Sequence, residues 1–255
     1  MTRLINKHTV LLLSLTLGAP ATHIAAQTAT PVVYYIDTTT ETGDTIKMSQ
    51  GDSQTTQAPL ELNCQAGINM PDGWEAVCEW RFFLSSEGEE SPLLTRFEDN
   101  TSYTLTESGS YGAKLYVTFT NTSDGSTEEY ESEIFTVVIS ESELTCPNAF
   151  SPNDDGRNDV LRVACKSIVR LDATVFNRWG QKMVSKSING VNGGYTENGT
   201  YYIDIWDGRY GGNYAKDGVY FLNLNAKGSD GTVYKEKKTI SLIKGYNEDS
   251  ESSAN

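Results

Sequence analysis

Glu107-Ser-Gly-Ser-Tyr-Gly-Ala-Lys-Leu-Tyr-Val-Thr-Phe119 puts Tyr111, Ala113, Leu115, Val117 and Phe119 on one parity, with Lys114, Thr118 and Thr120 on the other. Successive strand side chains point to opposite faces, so this period of two predicts a half-buried strand with one core face and one wet face. The turn Thr122-Ser-Asp-Gly125 and the apolar run 134–139 predict a hairpin partner for it. Upstream, 31–36, 59–64 and 74–84 read as strands. The last of these carries Cys78, Trp80, Phe82 and Phe83 and has the aromatic content of an interior strand. Residues 38–57 are rich in Thr, Ser, Gln and Asp and predict loop or weak edge strand, and 67–73 a turn region. Downstream, 160–163, 168–176, 181–184, 200–205, 219–226 and 233–243 read as strands, and no stretch predicts a helix of any length. Many short strands at this spacing predict β-sandwiches, so the fold class is all-β.

Composition divides the chain. Residues 27–142 hold 20 acidic and 4 basic side chains, a net of −16, whereas residues 143–255 hold 14 of each. The acidic half repels nucleic acid and anionic lipid surfaces, and its plainest use is solubility outside the cell. Arg3 and Lys7, the apolar run 10–17 and the small residues up to Ala26 form a secretory signal peptide, expected to be cleaved before Gln27. No stretch approaches the ~20 apolar residues that a membrane-spanning helix needs. The domains read as signal peptide 1–26, acidic sandwich 27–142, second sandwich 143–246 and polar tail 247–255.

The only histidines, His8 and His23, fall in the signal peptide. The mature chain therefore has no Ser/His or Cys/His nucleophile system and no His-ligated metal. Carboxylate-only catalysis survives on paper through Glu61, Asp72, Glu75, Glu79 or Glu98, but acids this frequent form a solvated face without further meaning. Tyr34, Tyr35, Trp74, Trp80, Phe82 and Phe83 read as core, with Trp74 the one expected to be exposed and available for carbohydrate stacking. Export makes the four cysteines a disulfide question. Local pairing, Cys64 with Cys78 and Cys146 with Cys165, keeps each bridge inside one domain, each worth roughly 3 kcal/mol through loop closure.

Chemistry concentrates after residue 145. Cys146-Pro-Asn-Ala-Phe-Ser-Pro-Asn-Asp-Asp-Gly-Arg-Asn-Asp159 contains two prolines and six Asn or Asp residues and must be a structured loop. This loop, whose Asn and Asp residues are the six at 148, 153, 154, 155, 158 and 159, is followed by Asn177-Arg-Trp-Gly180, Trp206-Asp-Gly208, Gly218-Val-Tyr220 and a last run Ile240-Ser-Leu-Ile243. This ordered set resembles the gliding-motility-associated C-terminal domain, the type B sorting domain of the type IX secretion system of Bacteroidota. The residues that carry the resemblance are Pro147, Asn148, Phe150, Pro152, Asn153, Asp155, Gly156, Asn158, Asp159, Asn177, Arg178, Trp179, Gly180, Trp206, Asp207, Gly208, Gly218 and Tyr220. Asp154 departs from it, standing where the family has Gly, and so does the tail beyond Gly245. The first domain more weakly resembles immunoglobulin-like modules of the polycystic-kidney-disease type, so the chain is expected to be two consecutive immunoglobulin-like sandwiches.

The resemblance implies an exported protein, on the cell surface or extracellular, whose second domain is engaged by the type IX outer-membrane translocon. The first domain would be a non-catalytic passenger binding an unknown glycan or protein. A structural part of a surface filament or motility apparatus is the alternative. Within the loop, Asn153, Asp155, the Arg157 carbonyl and Asp159 partly match a calcium site, but Ser151 and Arg162 stand where ligands are needed. The reading preferred is that these side chains cap turns. Arg178-Trp179 reads as a strand end where Trp packs and Arg stacks on it, with a recognition surface as the alternative.

Overall fold

The computed structural model describes residues 27–244 except 39, 41, 191–193 and 199; the expected signal peptide and polar tail lie outside the described residues. The first half contributes β1 (Thr28–Ala29), β2 (Val32–Asp37), β3 (Asp44–Met48), β4 (Ser53–Thr56), β5 (Leu60–Gln65) and β6 (Ile68–Asn69). It continues with β7 (Trp74–Leu84), β8 (Leu94–Arg96), β9 (Asn100–Leu105), β10 (Gly109–Asn121), β11 (Thr127–Glu131) and β12 (Phe135–Ile139). One layer runs β3-β2-β5-β9 and the other β4-β12-β10-β7-β8, with β11 also on β10. Val33, Leu62 and Cys64 from the first layer share a buried core with Trp80, Leu115, Val117 and Phe135 from the second.

The second half supplies β13 (Glu143–Thr145), β14 (Ala149–Phe150), β15 (Leu161–Lys166), β16 (Ile168–Phe176), β17 (Lys182–Asn189) and β18 (Tyr195–Glu197). After these come β19 (Thr200–Trp206), β20 (Arg209–Tyr210), β21 (Asn213–Tyr214), β22 (Gly218–Gly228) and β23 (Val233–Leu242). Its layers are β13-β15-β19-β18 and β14-β23-β22-β16-β17 around a second core of Leu161, Val163, Leu171, Val175, Leu224 and Ile240.

The two halves repeat one plan. In each, a long central strand (β10, β22) lies between an earlier strand (β7, β16) and the last strand (β12, β23), all antiparallel. In each, a short early strand (β4, β14) joins that last strand in parallel. Each central strand begins with a glycine at positive φ, Gly109 at 148° and Gly218 at 150°. Two residues on, a tyrosine hydroxyl donates to the carbonyl four residues back: Tyr111 to Glu107 at 3.0 Å and Tyr220 to Lys216 at 2.7 Å. This corner is a hallmark of immunoglobulin-type sandwiches.

Three expectations are corrected. The hairpin partner of β10 is β11, which pairs with 116–120; the 134–139 run instead provides β12, which takes the other end of β10 from Ala113 back to Gly109. Lys114 is buried rather than wet, because Glu89 from the loop after β7 closes over that face. Its Nζ lies 2.9 Å from Glu89, 3.0 Å from Glu131 and 4.8 Å from the Tyr116 ring centre. Burial alone would lower its pKa, but Glu89 and Glu131 raise it above the ordinary lysine value. Finally, neither Cys64–Cys78 nor Cys146–Cys165 is bridged: all four cysteines are free and buried. They pack as small apolar residues, with Cys78 pushed up to about 12 by burial and then by its hydrogen bond to Asp99. Burial also pushes Cys146 up to about 11 and Cys165 to about 12.

A polar seam joins the sandwiches. The Ser142 hydroxyl donates to Asp230 at 2.7 Å, the Ser142 amide donates to the same carboxylate at 3.2 Å, and Tyr234 donates to the Ser142 carbonyl at 2.9 Å. Ala58 N–H donates to the Ser167 hydroxyl at 3.2 Å and Ser108 N–H to the Ser229 carbonyl at 3.1 Å. β16 therefore starts at this seam and ends at Phe176 on the far side, and β22 runs the opposite way, from Gly218 to the seam.

Candidate functional site

The four motifs converge at the end of the second sandwich remote from the first, around Trp206. This side chain is 3 % exposed. It packs against Phe150 with ring centres 5.3 Å apart and meets Tyr220 edge-on at 4.8 Å, while its Nε1 donates to the Arg209 carbonyl at 2.8 Å. Gly208 follows at φ 79°, and a Cβ there would sit 2.7 Å from Pro152 Cγ, so the Asp207-Gly208 turn needs glycine to let the loop close on it. Asp207 accepts from Arg209 N–H at 2.9 Å and holds the turn. The preceding segment is tied down through Asn148, whose carbonyl accepts from Ser241 N–H at 2.8 Å.

The Asx-rich loop is a cage of backbone amides around one carboxylate. Asp159 Oδ1 accepts from Asn153 N–H at 3.0 Å and Asp154 N–H at 2.8 Å, and its Oδ2 accepts from Gly156 N–H at 2.8 Å. Asp155 accepts from Arg157 N–H at 2.7 Å and from the Asn153 amide group at 3.0 Å. Among the described residues no group of three acidic, Cys or His side chains is placed to hold a metal ion. Both Asp159 oxygens and the Asp155 carboxylate accept loop N–H groups, so these side chains cap the turns of the loop. Asp154 and Asn158 take left-handed backbone, φ 61° and 53°, which Asx residues tolerate. That explains how Asp replaces Gly at 154, and its carboxylate is used: the Tyr214 hydroxyl donates to it at 2.8 Å.

The turn 177–180 does the opposite of what its aromatic residue suggests. Asn177 Oδ1 accepts from Trp179 N–H at 2.9 Å and Gln181 N–H at 3.0 Å, closing a tight turn that lifts Trp179 out of the fold. Trp179 is 80 % exposed. The expected packing of this residue is thus overturned, whereas the expected stacking holds: the Arg178 guanidinium lies 5.1 Å from the Trp179 ring centre. Beneath them is an open cleft of about 460 Å³ lined by Asn177, Met183, Tyr210, Tyr214, Lys216 and Val219, among others. Gln181 donates to the Tyr210 hydroxyl at 2.9 Å, and the Arg209 guanidinium lies 3.8 Å from the Tyr214 ring centre. Among the described residues neither Arg178 nor Lys216 pairs with a carboxylate.

Residues 144–243 match the family model of the CHU_C type IX secretion signal domain. Such a signal implies engagement by the secretion machinery and export to the cell surface or extracellular space. No curated protein matches the chain. Among solved structures it is similar to SGBP-B of the Bacteroides ovatus mixed-linkage glucan utilization locus, solved with a mixed-linkage heptasaccharide (10 % identity, 76 % of this chain and 44 % of that one, TM-score 0.24). It is also similar to dimeric latent PorU from Porphyromonas gingivalis (12 %, 90 % and 22 %, TM-score 0.27) and to Drosophila N-cadherin EC1-4 (13 %, 75 % and 47 %, TM-score 0.21). The chain spans less than half the length of each of these.

Within the signal domain the expected motif residues separate by role. Phe150, Pro152, Trp206, Gly208 and Tyr220 are buried scaffold, Asn153, Asp155, Gly156, Asn158 and Asp159 shape a loop, and Arg178, Trp179 and Gly180 face solvent. Sequence reasoning missed Arg209, Tyr210, Tyr214 and Lys216. The signal was present in Arg209-Tyr-Gly-Gly-Asn-Tyr214, where Gly211-Gly212 at φ 61° and 86° form the two-residue turn of the β20–β21 hairpin. In the first sandwich Trp80, Tyr35, Phe82 and Phe83 are core and Trp74 is half-buried against it, not free. Glu79 is paired with Arg81 at 2.6 Å. Among the described residues no helix is long and apolar enough to cross a membrane.

Proposed function

We propose that the second sandwich is the export signal of a non-catalytic secreted or surface protein. The type IX outer-membrane translocon reads its far end, and the first sandwich is the passenger, an adhesion or binding module. The observation that carries this reading is Trp179. A large aromatic side chain held in solvent by a hydrogen-bonded turn, beside an unpaired arginine, contributes nothing to the fold and is suited to a partner's surface. Its position opposite the seam leaves it accessible whatever the passenger does.

The test is export of the full chain in a type IX-competent bacterium, read by protease accessibility on intact cells. Removing residues 143–255 should retain the passenger in the periplasm. The double variant Arg178→Ala, Trp179→Ala should retain an intact, folded chain there as well. Wild-type surface exposure of the truncated chain would refute the signal assignment; wild-type exposure of the double variant alone would refute the assignment of this face.

A further inference from the structure

The two free ends of the molecule are chemically complementary. We infer that copies of this chain associate head to tail, the cleft at the end of the signal domain receiving the free end of the first sandwich of the next copy. The ends are opposite by construction. β10 leaves the seam near Ser108 and reaches the outer end at Asn121, where it pairs with Trp74; β9 and β5 meet at the same outer end through Asn100 and Gln65. Around that end lie Met70 and Phe97, 41 % and 66 % exposed, among Asp72, Glu75, Glu98 and Asp99. Four acids against the one neighbouring cation, Arg96, leave this end net negative, and apolar side chains set in it fit poorly against water and well against a cation-bearing aromatic surface.

The cleft is such a surface. Arg178 and Lys216 have no carboxylate partner among the described residues, Trp179 and Tyr210 offer exposed rings, the Arg209 guanidinium lies 3.8 Å from the Tyr214 ring centre, and the acid in the lining, Asp217, is paired with Lys244. Because each copy carries one of each end, the contact is heterologous, and repeating it propagates a filament instead of closing a dimer. The inference does not depend on the sorting role: it concerns purified chain, whereas sorting is read in cells.

The experiment is sedimentation velocity of the chain purified after export, over about a hundredfold range of concentration at low salt, where charge attraction is least screened. Mass should rise past the dimer with concentration and fall in roughly 1 M salt. A cleft variant, Arg178→Glu with Lys216→Glu, and an end variant, Phe97→Glu with Glu98→Lys, should each associate at least ~10-fold more weakly alone. Mixed together they retain one working pair of ends and should form a one-to-one dimer and nothing larger. All substituted positions are exposed or on open loops, and thermal melting checks that both variants fold. A wild-type chain that stays monomeric, one that stops at a dimer, or a mixture that gives no dimer would each overturn the proposal.

Discussion

Trp206 and Trp179 lie in the same small region with similar neighbours in sequence, yet one is fully packed and the other stands in water. Trp206 fills a pocket between Phe150 and Tyr220 and satisfies its Nε1, so truncation removes a large buried volume and a hydrogen bond together. Trp206→Ala is expected to cost about 3–5 kcal/mol. Trp179→Ala is expected to stay within about 0.5 kcal/mol of wild type, since the turn beneath it is built by Asn177 and not by the ring. Urea unfolding of the two variants, followed by far-ultraviolet circular dichroism, checks both values. An equal loss in the two would mean that the exposed ring is structural. Sequence alone assigns both as packed, because aromatics after alternating apolar runs usually are; the deciding feature is the Asn177 side chain folding back on its own turn, which has no periodic signature.

The partner of β10 is split into β11 and β12, and the break between them is held by a single serine. Ser132 N–H donates to the Leu115 carbonyl at 2.9 Å, and its hydroxyl accepts from Leu115 N–H at 3.0 Å while donating to the Glu133 carbonyl. Ser132 is 4 % exposed, so Ser132→Ala leaves Leu115 N–H without an acceptor in a dry setting. A loss of about 1–3 kcal/mol is expected in thermal or urea unfolding, with Ser132→Thr close to wild type because it keeps the acceptor. The long core strands were legible in the sequence because apolar alternation reports burial directly: β7 and β16 have the bounds that the pattern predicts. β11 was not, since Thr-Glu-Glu-Tyr-Glu carries no apolar alternation and is held only by its ladder to β10. Lys114 was misread for a related reason. A loop residue distant in sequence, here Glu89, can bury a polar parity that periodicity marks as wet.

At the scale of the molecule, the seam depends on Asp230. Burial opposes its ionisation, but hydrogen bonds from the Ser142 hydroxyl and from the Thr232 and Ser142 amides outweigh it and hold the carboxylate down to about 2. A depressed carboxylate stabilises the joined state in full above its ordinary value near 4, and that contribution fades as pH falls toward about 2. Small-angle scattering should therefore show an unchanged radius of gyration at pH 5 and above and an expanded one near pH 2. Asp230→Ala should show part of that expansion at neutral pH. An invariant radius for the variant would mean that the remaining seam contacts suffice. The parallel pairing of β4 with β12 and of β14 with β23 carries a temporal consequence. Each sandwich joins an early strand to its own last one, so neither is complete until its final strand has been made. A chain that emerges N-terminus first can close the first sandwich at Ile139, about a hundred residues before Leu242 allows the second to close. The end that bears Trp179 is thereby assembled last, and a machine that recognises it would be reading a certificate that the second sandwich has closed and the first is already behind it.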